Sequence, residues 1–340
     1  MSSLSRRSLA ALALCASVSA LPFAAQAQDD KVRVGLLSLV SHAPSIIADE
    51  RGYFTEEGLE VELIMFQAAQ PMAVAIAAGD VDFGITAITG GLISLSEKGA
   101  VKVIGGALHE VPGIEGQKYI VSNAAHDAGL TDLSGAAGKR FGVTTPGSSF
   151  HYMASKAAEC GGADPSDIQV VPLNAVPAVA AALTTNQVDA WGVVPNLADP
   201  LVEAGNAVEI GRVADCIPGY QVTTVFTSSR RIQDNPDSVR NFLAAFSKGV
   251  EDYNAALVAR STDDADRAEV VAMIHKYVHT DTPADEVAAR IEVGAMEIAP
   301  GAALNVASVE DQLNWFQSEG LVPESITMDM LVDSQFVESN

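Results

Sequence analysis

From Lys31 onward the chain alternates short apolar runs with stretches of helical period. KVRVGLLSL (31–39) is rich in aliphatic and β-branched residues and predicts a buried strand. Ala43 to Arg51 then carries helical spacing and stops at Gly52. GLEVELIMF (58–66) predicts the next strand and QPMAVAIAAG (70–79) the next helix. DVDFGIT (80–86), a helix over 89–98 and the strand VKVIGGAL (101–108) complete the set. Strands alternating with helices of about ten residues build βαβ units around a mostly parallel sheet.

The alternation then restarts. QKYIVSN (117–123) is extended, and a new first strand follows at Arg140–Thr144. A helix after Pro146-Gly147, the strand IQVVPL (168–173), a helix over 176–184, the strand QVDAWGVV (187–194) and a helix over 196–204 repeat the theme. YQVTTVFTSS (220–229) is a second extended run, and helices over 236–259, 265–277, 283–294 and 308–319 end the chain. Two α/β lobes joined by two extended segments predict a discontinuous first lobe, 28–122 plus 223–340, and a second lobe over 123–222. Two crossings make a hinge able to close a cleft over a small molecule. The competing arrangement is two consecutive, independent domains.

The N-terminal segment changes the picture of where the protein works. Arg6 and Arg7, the apolar run Ser8–Phe23 and the small-residue step Ala25-Gln26-Ala27 read as a signal peptide over 1–27. SRRSLA also allows twin-arginine export, and the bulky Leu14 before Cys15 argues against an acyl anchor. A periplasmic location is therefore expected. Residues 1–27 hold two arginines and no acid, which leaves 18 basic and 43 acidic side chains, a net charge of −25. So negative a surface repels nucleic acid and anionic lipid at long range. Cys160 and Cys216 remain, either as a disulfide closing a loop worth about 4 kcal/mol or as two buried thiols. No metal site and no cofactor are expected from this inventory.

In sheets of this kind a ligand sits outside the carboxyl ends of the strands. Those ends carry Ser38, Ser41, His42, Gln67, Thr86, Thr89 and His109. The stretch TTPGSSFHYMASKAAE (144–159) opens a helix of the second lobe toward them. Gly147 lets the backbone turn, and Ser148, Ser149 and the first free N–H groups can donate to a polar acceptor. The plainer reading is a serine cap with no ligand. His42, His109 and His151 are candidate donors to an anion; a lone capping histidine is the plainer role of each. Asn196 starts a helix after the VDAW strand, and Tyr220 stands at the second crossing, where it either covers ligand or packs the hinge. No arginine falls at a strand end to clamp a dianion, so a monoanion or a neutral polar heterocycle is expected.

Several phrases together resemble the type 2 periplasmic solute-binding proteins of ABC importers. They are ADERGYFTEEGLEVEL (48–63), AAGDVDFGITAIT (77–89), LTDLSGAAGKRFGV (130–143), LTTNQVDAWGVVPNLAD (183–199) and MLVDSQFVES (330–339). The resemblance is to the NMT1/THI5-like group, which includes sulfonate, taurine, nitrate and thiamine-pyrimidine binders. It implies a two-lobed fold, a small-molecule ligand, delivery to permease and ATPase subunits in the inner membrane, and a monomer. Val193-Val194-Pro195-Asn196 replaces the Trp-Asp-Pro-like step of the sulfonate-type members, and the cysteine-rich motif of the thiamine-pyrimidine synthases is absent. The resemblance therefore names no single substrate. The chain shows no nucleophile elbow, phosphate loop or zinc motif, so catalysis is not expected. The alternatives are an enzyme of pyrimidine or menaquinone precursor synthesis on the same fold, and a periplasmic ligand sensor.

Overall fold

A computed structural model describes residues 30–111 and 113–337. The signal-peptide reading over 1–27 lies outside the described residues. In chain order the strands are β1 (Asp30–Leu37), β2 (Leu59–Phe66), β3 (Phe83–Thr86), β4 (Val101–Gly106) and β5 (Lys118–Ser122). They continue with β6 (Arg140–Val143), β7 (Gln169–Pro172), β8 (Ala190–Val193), β9 (Ala207–Arg212) and β10 (Thr224–Ser228). Two five-stranded sheets result, in the orders β2-β1-β3-β10-β4 and β7-β6-β8-β5-β9. Helices link the parallel strands, giving the two-lobed α/β architecture.

Each sheet has four strands in one direction and one against them, β10 in the first and β5 in the second. The cause is the route of the chain. Lys118 at the start of β5 pairs with Val193 at the end of β8, and Thr224 at the start of β10 pairs with Thr86 at the end of β3. A strand that enters from the edge where its neighbours finish has to run backwards. β5 hydrogen-bonds within the second sheet, so the first crossing comes before Lys118, earlier than the step near 122 expected from the sequence. The two crossings, 107–117 and 213–223, are tied together by Ala107 N–H to Thr223 O at 3.0 Å and Val222 N–H to Leu108 O at 2.9 Å.

The first lobe's core shows how helix pattern becomes packing. Helix Pro236–Tyr253 is capped by Asn235, whose side chain accepts the Ser238 N–H. Val239, Phe242, Phe246, Val250 and Tyr253 recur at three- and four-residue spacing and are buried. Phe242 stacks on Phe83 of β3 with centroids 4.0 Å apart. Gly249 lies on the same stripe, and a Cβ there would overlap the carbonyl oxygen of Pro44. Gly249→Ala is therefore expected to lose about 1–3 kcal/mol by overpacking, although alanine is the better helix former by about 1 kcal/mol. A urea midpoint at or above wild type would show that this helix and helix Ala43–Glu50, which carries Pro44, can separate at no cost.

The two cysteines are bonded. Cys160 ends helix Ser149–Cys160 and Cys216 lies in the short helix Val213–Cys216 of the return crossing. The disulfide ties the second lobe to its own hinge strand.

Candidate solute-binding site

The ends of β1 and β3 face those of β6 and β8 across a cavity of about 50 Å³. The first lobe supplies Leu37, Ser41, His42, Thr86 and Ala87 to its wall. The second supplies Thr144, Ser148, Ser149, Phe150 and Val193, and the crossings add Leu108, Gln117, Val222 and Thr223. Among the described residues, no charged side chain lines it. Instead, five helices begin there, at Ala43, Ala69, Ser149, Val176 and Pro195. Their aligned peptide dipoles place partial positive charge at the cavity. A site lit by helix termini and neutral donors suits a single negative charge or a strong neutral acceptor.

His42 is the most informative member. Its Nδ1 accepts the Leu37 N–H at 3.2 Å, so the ring proton sits on Nε2. Nε2 is buried and unpartnered. Complete burial pushes the imidazole down to about 3, which keeps it a neutral donor at physiological pH. Ser41 Oγ and Gln117 Nε2 are also buried without a partner. Three orphaned polar atoms on one small wall call for a partner that the protein does not supply.

Ser148 caps helix Ser149–Cys160 through Oγ, which accepts the His151 N–H at 3.4 Å. That long contact leaves the hydroxyl proton and the Ser149 and Phe150 N–H groups for a guest. Gly147 has φ +72°, a conformation glycine adopts freely, and this turn brings its carbonyl across the cleft to the Gly90 N–H at 2.9 Å. Val176 N–H meets Gln67 O at 3.2 Å, a second bridge between the lobes.

Beyond Leu37, Leu39, Val176 and Leu197 the cavity continues into a wider groove of about 440 Å³. Phe66, Pro177 and Ala180 form its apolar floor, and Gln67 and His279–Thr282 its polar rim.

Of the residues nominated from sequence, Ser41, His42, Thr86, Ser148 and Ser149 lie on the inner wall and Gly147 lies beside it. Ser38 and Gln67 belong to the outer groove; Ser38 Oγ donates to Tyr277 O at 2.6 Å. Thr89 is a helix cap, accepting the Leu92 N–H at 3.0 Å and donating to Gln70 at 2.8 Å. His109 sits at the hinge, with Nε2 3.1 Å from Glu297. His151 is a packing residue: Nδ1 accepts the Gly147 N–H at 3.1 Å and the ring meets Trp315 edge-on. Burial holds its pKa below the usual histidine range. Asn196 is buried in a separate contact with Gly294, and Tyr220 packs on Tyr152 in the hinge, with centroids 5.1 Å apart. Gln117 was missed. It is the first residue of an extended run that crosses between lobes, and that position was its only sequence signal.

Two lobes, two crossings and a largely apolar cavity with a few polar side chains between facing strand ends define the two-lobed fold of the periplasmic binding proteins. Residues 40–256 match the family described as NMT1/THI5 like, and the chain belongs to that family. A protein of Brucella abortus (strain 2308), named as a binding protein, is 26% identical over 255 residues, covering 74% of this chain and 76% of its own. A Bacillus subtilis (strain 168) protein named for binding aliphatic sulfonates is 27% identical over 237 residues, covering 65% of this chain and 64% of its own. In fold the chain is similar to the periplasmic nitrate-binding protein NrtA of Synechocystis PCC 6803. There the TM-score is 0.72 at 14% identity, over 90% of this chain and 86% of that one. The desulfurization enzyme DSZB is more distant at TM-score 0.57 and 16% identity, over 92% of this chain and 97% of that one.

Proposed function

We propose that this protein is the exported solute receptor of an ABC importer, which closes on one small organic anion or polar heterocycle. It then presents the closed form to permease and ATPase subunits in the inner membrane. The reading places the mature chain in the periplasm as a monomer. The observation that carries it is the inner wall, where Ser41 Oγ, His42 Nε2 and Gln117 Nε2 are buried and unpartnered around one cavity. Sulfonates, carboxylates, nitrate and pyrimidines all present the acceptors that these donors need. The named ligand of the Bacillus relative supports the sulfonate class, and the outer groove favours a solute with an organic substituent over bare nitrate.

Thermal shift on refolded, ligand-free protein tests this. A solute at 100 times its Kd is expected to add about 2.7 kcal/mol of stability. Within a series of alkane-1-sulfonates, affinity should rise roughly fourfold per methylene until the groove is filled. A panel in which nothing moves the midpoint, while one compound is turned over, would put an enzyme in the receptor's place.

The likeness to DSZB keeps that enzyme reading in view. It is weakened by the wall itself, where the described residues offer no carboxylate, lysine or thiol. His42, with a value near 3, is too weak a base for proton abstraction at neutral pH.

A further inference from the structure

Glu110 closes the strap between the lobes and is buried, at 1% exposure. Its N–H donates to Tyr220 O on the return crossing at 2.8 Å. Its Oε1 accepts the Gln117 N–H at 3.1 Å, while Oε2 is buried without a partner. Gln117 O accepts the Val213 N–H at 2.9 Å. The backbone of Gln117 is thus held from both crossings, and its side-chain Nε2, close to the Glu110 carboxyl but too poorly aligned to hydrogen-bond it, lies on the cavity wall. An apolar residue would hold the strap without the desolvation that a carboxyl incurs here.

We propose that Glu110 is a positioning residue that fixes the Gln117 amide for the solute, and that a negative charge on its carboxyl weakens solute binding. This rests on the solute-receptor reading above.

Burial is the main influence on the Glu110 carboxyl and pushes it up to about 7, against the pull of the Gln117 backbone N–H and of the nearby Gln117 side-chain amide. The Glu115 carboxylate adds to the rise and Arg212 opposes it. The surrounding phenols of Tyr119 and Tyr220 are pushed up by burial and stay neutral. Lys118 is engaged by Asp199, Glu115 and Glu209, and His109 by Glu297. Below about 7 the buried carboxyl is neutral. Above it, a buried negative charge, only partly balanced by Arg212 and the Gln117 N–H, stands beside the Gln117 amide. That charge repels an anion and favours any rearrangement of the hinge that wets it. Both effects act in the same direction.

Calorimetric titration with methanesulfonate and ethanesulfonate at pH 5.5 and 8.5 provides the test, on wild type, Glu110→Gln and Gln117→Leu. Wild type is expected to bind at least fivefold more weakly at pH 8.5. Glu110→Gln keeps an acceptor for the Gln117 N–H and should vary by less than twofold. Gln117→Leu should lose about fivefold in affinity at pH 5.5. Equal pH dependence in wild type and Glu110→Gln overturns the proposal. In ligand-free wild type, the backbone amide proton of Gln117, followed by NMR, should titrate with a midpoint near neutrality. An amide that does not titrate overturns the proposal whatever the calorimetry shows. If neither sulfonate binds but the amide titrates, the hinge coupling stands and the choice of solute class fails.

Discussion

Replacing His42 with phenylalanine is expected to weaken solute binding by about 100-fold. The ring volume is nearly conserved, so the cavity keeps its shape while the Nε2 donor is lost. A hydrogen bond to a charged acceptor is worth about 1.5–3 kcal/mol, and the acceptor would then be buried against carbon. The substitution also removes Nδ1, the acceptor of the Leu37 N–H. Apo stability should fall with it, by about 1–3 kcal/mol for the orphaned amide. Binding and stability are measured separately, by calorimetry and by urea midpoint, so the two losses can be told apart. Because burial holds the native imidazole near 3, wild-type affinity should show no titration from His42 between pH 5 and 8. Folding stability should respond instead. The native state binds fewer protons than the unfolded chain between the ordinary histidine value, 6.5, and about 3. Stability therefore falls as pH drops through that window. An unchanged Kd in the phenylalanine variant would return His42 to a purely structural role.

Breaking the Cys160–Cys216 bond is expected to cost about 4 kcal/mol of stability, from the entropy released to the unfolded chain by a loop of this length. The sequence separation is 56. The bond also anchors helix Ser149–Cys160, whose opposite end carries Ser148 and Ser149 at the cavity, to the return crossing. The double variant Cys160→Ser/Cys216→Ser should therefore unfold at a much lower urea concentration and bind solute less tightly at a temperature where it is still folded. A loss below about 1 kcal/mol would mean that packing alone holds the helix to the hinge.

The βαβ alternation was legible because buried strands such as β3 and β10 are continuous apolar or hydroxyl runs between turn residues. The inner wall was legible where it follows a strand end directly, as Ser41, His42 and Thr86 do. Residues one turn further round were not. Thr89 satisfies its own helix, and Ser38 points outward, because strand and loop residues alternate faces. His151 looked like a donor from its place in a helix opening, yet the neighbouring Gly147 N–H and the Trp315 ring occupy it. Trp315 is more than 160 positions away, and no local pattern reveals such a contact. The exit point of the chain from the first lobe was displaced for a related reason. β5 reads as an ordinary strand, and only its pairing with Val193 and Arg212 assigns it to the second sheet. The pairing of the cysteines likewise depends on a Cα separation, 5.6 Å, that sequence does not encode.

The decisive observation is where the guest sits. A crystal structure of the protein saturated with a solute that stabilises it is expected to show one molecule between the sheets. Its acceptor atoms should lie within hydrogen-bonding distance of His42 Nε2 and Gln117 Nε2 on one side and the Ser148–Phe150 turn on the other. Density for the solute on an outer surface, with that inner wall filled only by water, would contradict it.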